Sequence, residues 1–569
     1  MRSLLLALLL QPSLSYVAIK PTRYRLQGAD PAVTPRPWPV FPADDARQVV
    51  AFKEHAVAVG AWEGRDAGPL FLHDDATGGW TNFSVHLNYV VQTQPVLVAS
   101  DKDLVAAVTE VAVHALSCSL GLAAPRCTAK VVLDAAFGAP LDVAVAEDGG
   151  VLWIAAANGL FRAELGASPP KVNRVIETTS LAPMTAVAFR RAVTPLPPCP
   201  ACTAGCSCVS SSSSEKIWFT DPDSGAVVRW EWVTLVATES GGVTDGATTA
   251  MAFSPHPLLK TNLDPGRAGG ELIVANRYSL SVRTNDGAFR RWGGDEGVRW
   301  GGGDSRSTTN VGLPVSNITA VLPLAVASAG AGGQRAELWL GSRHGVAVFD
   351  ERADPPWRYL NGPRWLASSD VRSMAATASS KHVFVVGAGG VTKLELINAT
   401  LADKAEQMKT IQLERHDRHG MTGDCTMKSF GDVKGCLSKD DDNNGLWTSL
   451  VVGAFSFAHA VTGAATHRDA ASAFFKGMVL LNEVTGIEGL MARSACSPGE
   501  IAARTCGTGV PDFKQTCPGD PCWRNSTSDK YKGWQWKSDT SSDEGALPVC
   551  VTSACYCLMC FAVDFMLVC

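Results

Sequence analysis

Charge is scarce in this 569-residue sequence: Asp, Glu, Lys and Arg make up 18% of it, and the net charge is −5. A balance so near neutral gives no basis for nucleic acid or an anionic membrane as partner, and no field to steer a cationic substrate. The apolar run Leu4–Leu10 is too short to cross a bilayer, so no transmembrane helix is expected there. A Gly-Lys-Ser/Thr phosphate loop, a dinucleotide fingerprint and a Gly-x-Ser-x-Gly elbow are all missing, which removes the commonest nucleotide-binding and serine-hydrolase readings.

Glycine (53) and proline (32), by contrast, are abundant, as a turn-rich β protein requires. The stretch Glu337-Leu-Trp-Leu-Gly-Ser-Arg-His-Gly-Val-Ala-Val-Phe-Asp350 reads as two antiparallel strands joined by a tight turn, with Gly where the backbone needs positive φ. The pattern recurs at Val151–Phe161 around Asn158-Gly159, at Lys216–Thr220 with Asp223-Ser224-Gly225, and at His382–Gly387 with Gly389-Gly390. Hairpins repeating at a blade-like period predict a β-propeller, ahead of another repeated β array. Clear units begin near Asp142, Thr185, Thr249, Asn317 and Val371, and weaker ones span Val49–Phe71 and Val96–Leu116, which makes about seven blades over 46–396. Irregular spacing is read as loop insertion, with Cys199–Ser214 and Gly293–Asp304 as inserts; long surface loops cost little extra entropy. Leu-Trp-Leu-Gly-Ser-Arg-His-Gly-Val resembles the repeat of two-component-regulator-type propellers, whose units read Leu-Trp-x-Gly-Thr-x-x-Gly-Leu. That resemblance implies an extracellular ligand-sensing module. Histidine kinase motifs are lacking, so nothing supports the signalling half.

The N-terminus reads as a secretory signal over 1–15: Arg2, then Leu4–Leu10, then Ser13 and Ser15 at −3 and −1 of a cut. Seventeen cysteines suit an oxidising compartment. Sequons at Asn82, Asn317, Asn398 and Asn525 would be usable glycosylation sites there. The expected location is therefore secreted or extracellular. Residues 16–45 are Pro-rich without a clear period and read as a lead-in. Cys118 with Cys127 and Cys425 with Cys436 are expected short-range disulfide pairs; Cys199, Cys202, Cys206 and Cys208 read as disulfides or a zinc knot, and Cys496, Cys506, Cys517 and Cys522 as disulfides.

Beyond Leu396 the period becomes helical. Thr400-Leu-Ala-Asp403 is a capping box, followed by Leu401, Ala405, Met408 and Ile411 at helical spacing, with the helix expected to reach about Arg415. A second helix is expected from Gly445 to Gly463 with Leu446, Leu450, Ala454, Phe457 and Val461 as its apolar stripe. A third is expected over about Asp469–Val484, with Phe474, Met478 and Leu481 inward and Gly486 past its end. Four motifs, Glu414–Met421, Asp442–Ser449, Asn482–Ser494 and Asp539–Glu544, together resemble a helical domain that follows such propellers in some bacterial and algal secreted proteins. The resemblance implies an incomplete α/α toroid over 398–545, the architecture of glycoside hydrolases and polysaccharide lyases, and hence a glycan-directed function; carbohydrate or another small molecule is the expected ligand. The competing expectation is a non-catalytic ligand-sensing or interaction propeller. The apolar, Cys-rich stretch 546–569 departs from the resemblance, and is read as a mis-joined gene segment or as a C-terminal membrane anchor, with Asp564 arguing against the anchor.

Several residues could carry chemistry. His416, Asp417, His419 and Asp424 gather at the end of the first helix, either as acid, base or metal ligands or as a solvated helix end facing the dipole. Asp543 and Glu544, with Asp539, offer the carboxylates that glycoside hydrolysis needs, or an exposed acidic turn. Trp447, Trp534 and Trp536 suit stacking on a sugar, or are core, and Arg493 joins them as a ligand-binding candidate. Asp440, Asp442 and Asn444 match the opening of an EF-hand loop, but Val451 stands where the bidentate Glu belongs. A calcium-stabilised turn of another kind and plain helix capping both remain open.

Overall fold

The computed structural model describes residues 15–27, most of 39–82, the strand segments between 97 and 292, 313–327, 334–350, 353, 355–427, 436–440, 443–507, 516–517 and 520–541. The signal segment 1–14, the inserts at 199–213 and 293–304, Asp442, Asp543, Glu544 and the stretch 546–569 lie outside the described residues. The chain divides into two compact units, one over 17–398 and one formed by 399–569 with the first residues.

Among its described residues the regular elements of the first unit are strands. Among the described residues seven sheets follow one another, opening with strands Asp45–Phe52, Leu97–Asp101, Pro140–Val145, Val187–Ala192, Thr248–Phe253, Ala320–Ala327 and Val371–Ala376. Six are four-stranded with their strands in chain order. Each opening strand lies beside the opening strand of the next sheet, and Val371–Ala376 lies beside Asp45–Phe52, so the series returns on itself. That is a propeller arrangement. The last sheet takes an extra strand from the other end of the unit: Ser15–Leu26 pairs with Gly390–Thr400, and Val40–Phe41 adds to it in parallel. The Pro-rich lead-in is thus partly strand. Its pairing partner is remote in sequence, and Ser15–Leu26 has no hairpin of its own to betray it.

The repeated hairpins have a physical cause. Strands Gln334–Ser342 and Gly345–Phe349 pair from Leu338↔Phe349 to Ser342↔Gly345, leaving a two-residue turn. Gly345 has φ +105°, and a Cβ there would meet the Leu360 carbonyl oxygen at 2.5 Å. Gly341 serves differently: its backbone is ordinary, but a Cβ would sit 2.7 Å from Val371 Cγ1, so it permits close packing of neighbouring sheets. Every residue of Val151–Ala156, Gly345–Phe349 and His382–Gly387 is buried. Sheets covered on both faces read as continuous apolar runs rather than alternation. The hairpin tryptophans Trp153 and Trp339 are buried, and Trp339 Nε1 donates to Glu337 Oε2 at 3.0 Å. Glu337 in turn accepts from Arg358 Nη2 at 2.7 Å, which supplies its counter-charge.

The second unit holds α1 (Leu401–Ile411), α2 (Asn444–Thr462), α3 (Ala465–Glu483) and the short α4 (Pro498–Ala502). The Thr400/Asp403 capping box forms as expected. The helix stops earlier, at Ile411, and passes into a π turn over Gln412–His416. Gly463, left-handed at φ +68°, ends α2, and α3 begins two residues on, which makes a helical hairpin. Phe474, Met478 and Leu481 point inward from α3.

The stripe expected to bury α2 points outward instead. Leu450, Phe457 and Val461 are 45%, 50% and 48% exposed, and Ala454 is exposed with them. The buried face is Asn444, Gly445, Thr448, Ser449, Val452, Gly453, Phe455 and Ser456. Most of that face is small side chains, which bring backbones close, and its Val452 and Phe455 pack on Ala471, Phe474 and Met478 of α3. None of α1 is buried: Leu401, Ala405 and Met408 of its stripe are exposed and Ile411 is half-buried. A three-stranded sheet, Ser494–Cys496, Gln535–Lys537 and Trp523–Asn525, completes the unit. Cys425 and Cys436 lie 5.5 Å apart between Cα atoms and Cys496 and Cys506 5.7 Å, both within disulfide range. In the first unit, strand register sets Cys118 opposite Cys127.

Candidate polar site in the helical unit

The segment Asp417-Arg-His-Gly-Met-Thr422 builds the site. Asp417 pairs with Thr422 and Arg418 with Met421, leaving His419-Gly420 as a two-residue turn. Both have positive φ, 57° and 79°, as the favoured hairpin turn demands. Asp417 Oδ1 accepts from the Gly420 N–H at 2.9 Å and steadies the turn. Gly420 packs on α3, where a Cβ on Gly477 would fall 2.1 Å from the Gly420 carbonyl oxygen. The two glycines therefore fix how deeply the hairpin sits. Arg418 is driven inward and His419 stays at the tip.

Arg418 is the centre, its side chain only 3% exposed. Its Nη1 donates to Glu500 Oε1 at 2.9 Å, and its Nη2 to Asn444 Oδ1 at 3.0 Å and Ser494 Oγ at 3.3 Å. Asp440 Oδ1 is 4.0 Å from Nη2 and accepts from Ser494 Oγ. Glu500 Oε2 accepts from His419 Nε2 at 3.1 Å, from the Ser497 N–H at 2.8 Å and from Ser497 Oγ at 2.9 Å. Burial opposes ionisation of Glu500, but the hydrogen bond from His419, the Arg418 charge and the Ser497 N–H outweigh it and hold the carboxyl well below the usual carboxylate range.

His419 is the reachable member, with its side chain 39% exposed. The tautomer that donates from Nε2 to Glu500 leaves Nδ1 as the basic nitrogen. Trp534 stands edge-on to the ring at 5.3 Å between centroids, and Tyr531 stands edge-on to Trp534 at 5.6 Å. The rim is thus a carboxylate-oriented imidazole flanked by aromatics.

The expected site residues fare unevenly. His416 faces the Gly423 carbonyl through Nδ1 at 2.9 Å, and Asp417 serves its own turn, so neither addresses the cluster. Asn444 is the partner of Arg418 and donates to the Thr422 carbonyl, and Asp440 also faces that cation. Among the described residues no group of three His, Cys, Asp or Glu could hold a metal, and Asp442, a member of the expected calcium turn, lies outside them. Asn443 occupies the cap position of α2 without a side-chain capping bond, because its Oδ1 accepts from Arg493 Nη2 at 2.7 Å. Arg493 also donates to the Asp539 carbonyl at 2.6 Å and is buried, a clamp between segments rather than an open ligand contact.

Trp536 is 2% exposed and belongs to the core with Met421, Leu481 and Val484. Trp447 is 44% exposed, on the outward face of α2. Asn82 and Asn317 are half-buried, and Asn398 and Asn525 exposed. Arg418, Ser494 and Glu500 are the residues that sequence reading missed. Ser497-Pro-Gly-Glu500 is a capping-box pattern, the one signal that could have marked Glu500.

No family model matches this chain, and no curated protein matches it. Among solved structures, the β-propeller domain of Cps50 (Swd1) from Myceliophteria thermophila matches 63% of this chain and 99% of that domain, at 10% identity and a TM-score of 0.38. So loose a superposition says nothing of function, and the propeller arrangement stands on the sheet order itself.

Proposed function

We propose that this is a secreted propeller protein whose helical unit is directed at glycans. In this reading the seven sheets are seven blades of two-component-regulator type, and the α2–α3 hairpin is one element of an incomplete α/α toroid. The observation that carries it is the convergence of motifs far apart in sequence: Arg418, Asn444, Ser494 and Glu500 form one bonded network, with His419 and Trp534 at its rim, while Arg493 ties the neighbouring Asn443 to Asp539. Disulfide-range cysteine pairs support an oxidising compartment. Of the two carbohydrate chemistries, hydrolysis needs two carboxylates across the bond. Among the described residues the rim has only Glu500, already ionised and fully bonded. A single oriented imidazole suits proton abstraction, so a lyase acting on uronate-containing chains fits better than a hydrolase.

A second reading is favoured by the same network. Arg418, Asn444, Ser494 and Glu500 bind one another, as a structural core would, and His419 with Trp534 then only binds ligand. Incubation with uronate-containing and neutral polysaccharides separates the readings. Unsaturated product that disappears in His419→Ala supports the lyase. Saturable binding without product, weakened in Trp534→Ala, supports the binding protein. Neither product nor binding on any glycan would overturn both.

A further inference from the structure

We propose that the outward apolar stripe of α2 is the seat of the chain's own C-terminal segment, residues 546–569. The stripe runs Trp447, Leu450, Ala454, Phe457, Val461, and its four large members are 44–50% exposed. Helix α2 contains no Asp, Glu, Lys or Arg, so no charged side chain interrupts that face. A contiguous apolar strip of this kind marks a contact surface. From Leu547 onward the sequence carries a single charge, Asp564, and is otherwise small, apolar or cysteine-rich. Two apolar surfaces in one chain, each costly in water, have the chemistry to cover one another.

The path is short. Arg493 grips the Asp539 carbonyl at 2.6 Å with one nitrogen and Asn443 Oδ1 at 2.7 Å with the other. Asn443 immediately precedes α2. Thr540 is held as well, donating to the Met491 carbonyl at 2.8 Å. The chain therefore leaves Ser541 beside the end of α2 where the stripe begins. From Trp447 to Val461 the helix rises roughly 21 Å. An extended chain covers that in about seven residues, so 546–569 is long enough, as strand or as helix. A covalently attached partner this near also acts at a high effective concentration.

A membrane is the other candidate occupant, since α2 is long and apolar enough to cross one by length and composition. Its opposite face argues against that. Asn444, Thr448, Ser449 and Ser456 are buried in the unit, and Asn444 is bonded to Arg418. Insertion would break those bonds.

The test uses the full chain with a photo-crosslinking residue at Leu450 or at Phe457, mixed with isotope-labelled chain, with and without phosphatidylcholine vesicles. Adducts should map to 546–569 of the same chain, and a probe at Arg468 should give none. Adducts to a second copy, to lipid, or to nothing outside the helical unit's described residues would overturn the proposal. Carbene footprinting gives an independent readout. A chain ending at Ser541 should label about threefold more heavily over 447–461 than the full chain, as a newly uncovered face must; equal labelling of the two folded chains would also overturn it.

Discussion

The β unit and the helical unit differ in what they bury beside their apolar side chains. In the first, whole strands such as Gly345–Phe349 are apolar and covered on both faces, and glycines set how closely sheets approach. In the second, apolar clusters around Phe474 and Leu481 are joined by a buried guanidinium with a carboxylate, an amide and a hydroxyl, while Leu450, Phe457 and Val461 of α2 lie outside. An apolar core is tolerant because contacts are non-directional. A buried ionic core is brittle because every partner is required. The units should therefore fail differently when one group is removed.

The largest effects come from emptying each centre. Trp339→Ala should cost the β unit about 4 kcal/mol through cavity formation. Arg418→Ala should cost the helical unit about 4 kcal/mol, chiefly by leaving Glu500 buried without its charge partner. Denaturant melts followed by unit-resolved hydrogen exchange measure both. The comparison sharpens in a double variant. Arg418→Met with Glu500→Gln should recover about 2 kcal/mol relative to the sum of the singles, because paired charges fail together. No cavity variant in the β unit has such a rescue partner. Simple additivity would mean that the Arg418–Glu500 pair is not the centre.

These differences explain what could be read in the sequence. Hairpin repeats are local, so sheets open close to the expected places, at Pro140, Val187, Thr248, Ala320 and Val371. Ser15–Leu26 was not legible, since its partner Gly390–Thr400 lies at the far end of the unit. In the helical unit, caps and stops such as Thr400, Asp403 and Gly463 were legible for the same local reason. The face of α2 was not. Apolar periodicity assumes that large apolar residues go inward, whereas here a face rich in small residues is buried, with Asn444 on Arg418 and Val452 and Phe455 on α3. The motifs told that Glu414–Met421 matters but not which member: Arg418, between two histidines, carries the contacts.

Gly345 breaks the comparison from the β side. Its φ of +105° and the Leu360 carbonyl at 2.5 Å from a would-be Cβ leave no room for alanine. Gly345→Ala should cost about 2 kcal/mol, in a unit otherwise tolerant of volume-conserving apolar exchange. A stability change within error would mean the turn relaxes freely.

Acid should separate the units next. Glu500 is held below its unfolded value by His419, Arg418 and Ser497 against the opposing effect of burial. A depressed carboxyl contributes stability that is complete above its unfolded value, about 4.3, and is lost as pH falls toward the folded value. The helical unit should therefore lose stability as pH drops below about 4.3, and Glu500→Gln should flatten that part of the profile. Melting curves against pH, read by exchange in each unit, test this. An unchanged slope in the variant would assign the acid loss to other carboxylates.

The smallest expected effect lies at the join of the two composition regimes. Thr400 Oγ1 accepts from the Asp403 N–H at 3.1 Å, and Asp403 Oδ2 accepts from the Thr400 N–H at 2.7 Å. Since α1 buries none of its residues, it draws little from packing and depends on this cap for its first turn. Thr400→Ala should fray α1, raising amide exchange over Leu401–Ile411 several-fold, while the Arg418 network and the sheets keep their protection. A loss of protection spreading into α2 and α3 would show that α1 braces the hairpin. In that case the helical unit would be as cooperative as the β unit, and the contrast between a tolerant core and a brittle one would rest on the Arg418 network alone.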